Sequence, residues 1–147
     1  MSDEVLRIVP TDPQWTPDDV ALRRAVRALR ELLPQADGVR GEVHDGVVLV
    51  TPDGQPEQVA CPACGEDLDP GWWTQRLQRA AVQGFARLGV VTPCCATRTS
   101  LGDLRFDRPA AFARTELRAR RAGAGLGEEE LARVGRALGH PVRQVLA

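Results

Sequence analysis

Three residue types are missing from this sequence of 147 residues. It contains no lysine, no asparagine and no tyrosine, so that all 19 basic residues are arginine. The missing types share AT-rich codons, which we interpret as the codon bias of a GC-rich bacterial genome. The use of arginine in place of lysine is therefore not, by itself, a sign of phosphate recognition.

Aromatic residues and long apolar runs are also scarce. Aromatics make up 4% of the chain, so the core must consist mainly of leucine, valine and alanine. No run of about 18 apolar residues occurs, which predicts no membrane span. The acidic, alternating start MSDEVLRIVP is typical of neither a signal peptide nor a transit peptide. We therefore expect a cytoplasmic protein without a membrane partner, in which thiols stay reduced.

Charge is distributed unevenly, although the net charge is −1. Residues 1–70 contain six arginines and fourteen acids, a formal charge of −8. Residues 71–147 contain thirteen arginines and six acids, a formal charge of +7. Either the two halves neutralise each other within one fold, or the second half presents a basic surface to an acidic partner.

The four cysteines occur as two close pairs, in CPACG at residues 61–65 and in TPCC at residues 92–95. The two-residue gap of the first pair lets both thiolates reach one tetrahedral Zn²⁺. Gly65 can adopt the positive φ that the returning loop requires. Four cysteines in two tight pairs are not explained by simple packing of buried thiols. The sequence predicts one structural Zn²⁺ bound by Cys61, Cys64, Cys94 and Cys95.

The adjacent cysteines of the second pair require an unusual backbone. Neighbouring side chains on a regular strand point to opposite faces, so a strand cannot direct both thiolates to one ion. Pro93 could end the strand and allow a turn that does so. Otherwise only Cys94 or Cys95 binds, and His44, His140, an acid or water completes the site.

The CPAC motif also occurs in thiol oxidoreductases, where a helix N-terminus lowers the pKa of a thiol. Here GEDLDP separates Cys64 from the next helix, and its carboxylates would raise the pKa of nearby thiols. A redox enzyme is therefore the least favoured interpretation. Four thiolates also leave no open position for a catalytic water. No Ser–His–Asp order, HExxH motif, phosphate loop or dinucleotide-binding glycine pattern occurs, which favours a protein that is not an enzyme.

Hydrophobic periodicity predicts strands at residues 4–9, 89–92 and 111–121, the last with one solvated face. Residues 39–54 resemble a hairpin with its turn at Asp45–Gly46. With about three helices and a mixed or antiparallel sheet, the expected fold is a single two-layer α+β domain over residues 1–147. The order of the first elements fits a ferredoxin-like sandwich with an extension.

Helix starts are marked by capping residues. Thr16 and Pro17 fit the N-cap and the first position of one helix, and Asp69 and Pro70 fit those of a second helix that extends to about residue 88. EEELARVGRAL, with acids in its first turn, predicts a third helix.

The two tryptophans of GWW lie about 100° apart on the second helix. Trp73 is in phase with Phe85, so we expect it in the core. Trp72 is in phase with Arg76 and Arg79. It either folds over the zinc loop or stands exposed with these arginines as a partner-binding face, since tryptophan and arginine are enriched at binding hot spots.

CPxCG, the Trp-bearing helix, PCC, SLGDL and AAFAR together resemble small, uncharacterised actinobacterial proteins with a CPxCG…PCC zinc-knuckle pattern. The resemblance covers most of the chain and implies a soluble zinc-containing domain, with no activity to transfer. We therefore hypothesise a non-enzymatic protein-interaction or regulatory domain whose partner is another protein. The alternative is a nucleic-acid-binding zinc protein that uses the ten arginines of residues 71–121. The near-neutral net charge argues against tight, sequence-general nucleic-acid binding.

Overall fold

A four-stranded antiparallel sheet forms the centre of the molecule. In this computed structural model, residues 5–51 and 54–146 are described. Their helices and strands are β1 (Val5–Pro10), α1 (Asp19–Leu32), β2 (Gly38–Val50), β3 (Val59–Ala60), α2 (Pro70–Val82), β4 (Gly89–Val91), β5 (Arg98–Ser100), β6 (Arg105–Phe106), β7 (Ala111–Arg120), α3 (Glu128–Leu138) and β8 (Val142–Leu146). The central sheet has the strand order β2-β7-β1-β8.

Every neighbouring pair in this sheet is antiparallel. Without residues 51–110, the chain follows the order β-α-β-β-α-β of the ferredoxin-like fold. The predicted α+β class, with an antiparallel sheet and three helices, is therefore confirmed. The first six predicted elements were fitted to this order from the sequence, and that assignment was wrong, because α2 and β4 are not part of the sandwich. β4 has only three residues and pairs with β5 alone, whereas β7 and β8 complete the sheet.

Helices α1 and α3 cover one face of the central sheet. The start of α1 differs from the sequence prediction in its N-cap residue. Asp18, not Thr16, is the N-cap of α1, and its carboxylate accepts a hydrogen bond from the Ala21 N–H at 2.7 Å. A carboxylate at this position satisfies a free N–H and also suits the positive end of the helix dipole. The sandwich core is formed by buried residues that include Leu6, Ile8, Leu29, Leu117, Val134 and Leu138.

The segment that resembles a hairpin is one long strand instead. Val43 pairs with Thr115 and Val48 pairs with Ala113, so the Asp-Gly pair lies in a bulge of β2. Both halves of the segment find a partner on the long edge of β7, which a hairpin would leave unpaired. Val47, within the bulge, is 4% exposed and packs into a second hydrophobic cluster.

Strand β7 is buried on both faces over most of its length, contrary to the prediction of one solvated face. It lies between β2 and β1, and both sides of its first half are covered. Leu117 and Ala119 contact the helical layer, whereas Ala111 and Ala113 belong to a small cluster with strands β2 and β8. The alternation of residue types was therefore not a measure of solvent exposure at a central strand.

Candidate metal centre

Two loops of matching backbone conformation carry the four cysteines. In the first, the Gly65 N–H donates to the Cys61 carbonyl at 2.9 Å, and the Cys61 N–H donates to the Glu66 carbonyl at 2.9 Å. In the second, Ala96 and Thr92 take the places of Gly65 and Cys61. The Ala96 N–H donates to the Thr92 carbonyl at 2.9 Å, and the Thr92 N–H donates to the Thr97 carbonyl, also at 2.9 Å. CPACGE at 61–66 therefore aligns with TPCCAT at 92–97.

This equivalence is a repeat that the sequence analysis did not detect. Thr92 stands where the first loop has a cysteine, and Ala96 stands where it has Gly65. Both return positions have positive φ, 76° at Gly65 and 55° at Ala96. The signal in the sequence was a proline at the second position and a cysteine at the fourth position of each loop.

The repeat explains how adjacent cysteines can face one point. Cys95 aligns with Cys64, and Cys94 aligns with Ala63, so the second loop supplies one thiol from an added position. Because these residues lie in a turn that begins at Pro93, they are not bound by the alternation of a strand. The loop therefore brings both thiols to the first pair.

The four sulfur atoms lie within 4.8 Å of one another, an arrangement that could hold a metal ion. The Sγ–Sγ distances are 3.7 Å for Cys61–Cys95, 3.4 Å for Cys64–Cys94 and 3.9 Å for Cys94–Cys95. A tetrahedral ion with metal–sulfur bonds of about 2.3 Å requires about 3.8 Å between sulfur atoms. The observed distances therefore fit the edges of such a tetrahedron.

The two histidines lie in other surroundings. His140 stacks against Trp15, with ring centroids 4.8 Å apart, and its Nδ1 lies 2.8 Å from the Pro141 carbonyl oxygen. His44 lies beside the carboxylates of Glu42 and Glu116. Neither belongs to the cysteine cluster. Replacement of a thiol by histidine, which the sequence left open, is therefore not needed to complete four ligands.

Hydrogen bonds favour the thiolate form of two cysteines. The backbone N–H of Cys64 is the main cause that lowers the pKa of Cys61. Together with weaker hydrogen bonds from Ala63, Thr92 and Cys94, it outweighs desolvation and brings the pKa to about 6. The hydroxyls of Thr92 and Thr97 lower the pKa of Cys95, from Oγ1–Sγ distances of 3.5 and 3.0 Å. The loops thus contribute to anion stabilisation before any cation is present.

Cys64 differs from these two thiols. The Glu66 N–H lowers the pKa of Cys64. The neighbouring Cys94 thiol, desolvation and the other two cysteines raise it by more, so that the pKa is about 12. Four sulfurs at this distance cannot all carry negative charge without a cation between them. The site thus favours a cation, and metal binding here must release protons.

The centre has one buried and one open side. Cys61 is fully buried, Cys94 is half-buried, and Cys64 and Cys95 are exposed. Thr92, 1% exposed, supports the buried side, where its Oγ1 accepts a hydrogen bond from the Thr97 N–H at 3.1 Å. The thiol cluster therefore joins the inner hydrophobic cluster to the surface.

Helix α2 begins at Pro70, shortly after the first loop. Asp69 caps the helix by accepting a hydrogen bond from the Gly71 N–H at 3.3 Å, and Pro70 occupies the first turn, as predicted. Trp73 is 6% exposed and makes an edge contact with Phe106, with ring centroids 5.4 Å apart. Its position in the core is therefore confirmed.

Trp72 and the two arginines in phase with it occupy the outer side of α2. Trp72 is half-buried against the second hydrophobic cluster, and the Arg76 guanidinium lies 5.8 Å from the centre of its ring. Arg79 is exposed. Trp72 therefore packs inward and also carries a cation on its face. Their use as a binding face stays a prediction.

A second group of side chains could also hold a metal ion by distance alone, namely Glu42, His44 and Glu116. Its carboxylates already have cationic partners. Arg7 Nη1 lies 3.2 Å from Glu116, Arg118 Nη2 lies 3.2 Å from Glu42, and Arg118 Nε also contacts Glu116. We interpret this group as an ion-pair network on the sheet, because a metal ion would displace paired guanidinium groups.

Comparison of the chain with protein-family models, with curated proteins and with solved structures finds no match. Within residues 5–51 and 54–146, no helix is long and apolar enough to cross a bilayer. The function must therefore be inferred from the geometry and chemistry of the site.

Proposed function

We propose that this chain is a non-enzymatic interaction domain stabilised by a structural Zn²⁺, and that its partner is another protein. The observation that carries the proposal is the closed set of four cysteine sulfurs within 4.8 Å. Four thiolates match the ligand set of structural zinc sites and leave no position for water or substrate. Their combined negative charge would also make any water bound to the ion a poor source of hydroxide.

The position of the centre supports a structural role. The first loop precedes α2, and the second loop connects β4 to β5, so an ion between the loops would clip these elements together. The paired strands are only three residues long in one sheet and two in the other. Such short ladders are marginal without further support. Cross-linking by the ion would hold α2 in place and, with it, Trp72, Arg76 and Arg79 as the proposed binding face.

Metal analysis tests the zinc part of the proposal. Protein purified under reducing conditions without chelator should contain one Zn²⁺ per chain, and Cys61→Ser should reduce this content strongly. Elemental analysis that finds no stoichiometric metal in the unmodified protein would reject the structural zinc.

Comparison of two variants on α2 tests the interaction face. A protein captured by the wild type should be lost with Trp72→Ala and retained with Val82→Ala, because Val82 is 89% exposed on the same helix and lies outside the face. Equal capture by both variants would place the interaction elsewhere. Metal content should be the same in both, which separates loss of the face from loss of the fold.

Nucleic acid is a second candidate partner, favoured by the charge of α2 and the β4–β5 hairpin. Arg76, Arg79 and Arg98 lie there without an acidic residue on the same elements. Salt dependence distinguishes the two candidates, because phosphate-backbone binding releases counterions and weakens steeply as salt is raised. Sub-micromolar binding to random single or double strands, with such a slope, would favour nucleic acid over protein.

A further inference from the structure

A cleft of about 520 Å³ lies between α2 and the β4–β5 hairpin. Four arginines line it: Arg76, Arg79, Arg87 and Arg98. They come from the helix, from the connection that follows it and from β5, so the hairpin next to the metal centre completes the cleft. Apolar side chains, Ala80 and Leu101 among them, are 6% and 1% exposed and contribute to its lining.

The four arginines lack a carboxylate partner within residues 5–51 and 54–146. None of them forms an ion pair in the described part of the chain, and no acidic residue is among the lining residues there. The Arg76 guanidinium lies over the face of Trp72, 5.8 Å from the centre of the ring. By contrast, Arg7 and Arg118 on the sheet both pair with Glu116. Four cations that share one cleft repel each other, and an anion in the cleft would relieve that repulsion.

We propose that this cleft binds a phosphate group, carried either by a phosphorylated segment of the protein partner or by a small phosphate compound. A phosphate monoester brings a charge of about −1.5 to −2 and three acceptor oxygens. Guanidinium groups present planar forks of N–H donors that match these oxygens. A single carboxylate has one charge and two oxygens, so it would leave most of the four arginines without a partner.

A nucleic-acid strand fits the cleft less well. Single strands are held by aromatic rings that stack on successive bases, in addition to a basic groove along the backbone. No aromatic side chain lines this cleft in the ranges that the structure describes. The net charge of the chain is −1, which gives an extended phosphate backbone little general attraction. The geometry favours one compact phosphate over an extended strand.

The inference rests on the proposed function in one respect, since Arg76 and Arg79 belong to both the proposed binding face and the cleft. The two can nevertheless fail separately. Binding of a phosphate compound is measured on purified protein and requires no partner. Conversely, a protein that contains its metal and captures a partner, yet binds no phosphate, would retain the interaction domain and reject the phosphate chemistry.

Calorimetric titration of the metal-containing protein with pyrophosphate is the first experiment. Arg79→Gln combined with Arg98→Gln removes two charges from opposite sides of the cleft, and should weaken binding at least about tenfold, because each charge-assisted hydrogen bond contributes strongly. Arg23→Gln combined with Arg27→Gln is the matched control, since it removes the same charge from exposed positions of α1. The control should bind pyrophosphate within about twofold of wild type, because distant surface charges are screened.

The second arm distinguishes the sources of the phosphate. A peptide with one phosphoserine is compared with its unphosphorylated form. Stronger binding of the phosphopeptide than of pyrophosphate supports a protein partner, and binding of pyrophosphate alone supports a small compound. The proposal is overturned if neither pyrophosphate nor the phosphopeptide binds, or if both arginine pairs weaken binding equally. It is also overturned if a single-stranded oligonucleotide binds more tightly than pyrophosphate and loses affinity steeply with salt. Unchanged metal content and circular dichroism of each variant exclude unfolding as the cause.

Discussion

The sandwich of β1, α1, β2, β7, α3 and β8 and the inserted segment of residues 51–110 are stabilised in different ways. The sandwich has strands of up to 13 residues and a core in which Leu29, Leu117 and Val134 are fully buried. The insertion has strands of two or three residues and a smaller cluster around Trp73, which extends to Phe112 of the sandwich. One region has long strand ladders and a broad core, whereas the other has very short ladders, a smaller core and the cysteine cluster.

This contrast indicates what a metal ion bound at the cysteine cluster would contribute to stability. An isolated pair of very short strands is marginal in water, because few contacts offset the chain entropy lost on ordering. An ion that joins two distant loops closes a long stretch of chain and supplies binding free energy directly to folding. We therefore expect the insertion to depend on the metal, and the sandwich to depend on its hydrophobic core.

Loss of a metal ligand should have the largest effect and should divide the molecule. Cys61→Ser removes a fully buried thiol at the inner side of the site. Amide hydrogen exchange should become fast at Gly65, Leu68 and Ala96, while amides of β1 and β7 stay protected. Leu29→Ala is the opposite control, because it should weaken protection in the sandwich first. Uniform loss of protection in both regions with Cys61→Ser would show that they unfold as one unit.

The two tryptophans of α2 should differ in their contribution to stability. Trp73→Ala leaves a cavity beside Phe106 and should lower the free energy of unfolding by about 3–5 kcal/mol. Trp72→Ala should lower it less, because that residue is only half-buried. Chemical denaturation of the metal-containing variants measures both values. Equal losses would mean that Trp72 belongs to the core and that this helix face is not available to a partner.

The two return positions of the loops should respond in opposite directions. Gly65→Ala places a side chain at φ 76° and should destabilise the first loop by about 1 kcal/mol. Ala96→Gly relieves the same conformation at φ 55° and should leave stability unchanged or raise it by a few tenths of a kcal/mol. Metal affinity, measured by competition with a chelator, should change in the same order. If both substitutions weaken the site, the two loops are not equivalent.

The smallest expected effect concerns Asp107, which joins β6 to the chain before β3. Its carboxylate accepts hydrogen bonds from the Gln58 and Glu57 N–H groups, at 3.1 and 3.0 Å, and these bonds lower its pKa. Since the folded pKa lies below the unfolded value of about 3.9, the contribution to stability is present above that pH. It is lost as the pH falls through the folded pKa.

The direct measurement is the NMR chemical shift of the Asp107 carboxyl carbon as a function of pH. A melting curve would be obscured, because acid also protonates the metal-binding thiolates. Asp107→Asn should lower the melting temperature slightly at neutral pH. A titration midpoint at or above the value for an unfolded aspartate would contradict the proposed role of the two N–H donors.

Several features of the candidate site could be predicted because they depend on neighbours in sequence. The two-residue gap between Cys61 and Cys64 sets the reach of their thiols, and the phase of an α-helix places Trp73 inward. Asp69 and Pro70 mark the start of α2 through the free N–H groups of its first turn. Each of these features needs only a few consecutive residues, so it is readable without knowledge of the fold.

Other features were decided by contacts between distant segments. The sequence around Asp45–Gly46 is suited to a turn, but the long edge of β7 offered hydrogen bonds to both sides of it, and the pair became a bulge. Glu116 alternates like a surface residue, yet it is 1% exposed, because side chains from neighbouring strands, Arg7 and His44, and Arg118 of its own strand pack against its carboxylate.

The sequence by itself determined the α+β class, the two cysteine pairs and the inward position of Trp73 on α2, because spacing and periodicity act over a few residues. Only the tertiary structure decided that the second loop directs both of its thiols to the first pair, and that Arg98 meets Arg79 across one cleft. These outcomes depend on how separate segments pack. Packing is governed by the surfaces that each segment finds available, and a local pattern of residues does not contain that information.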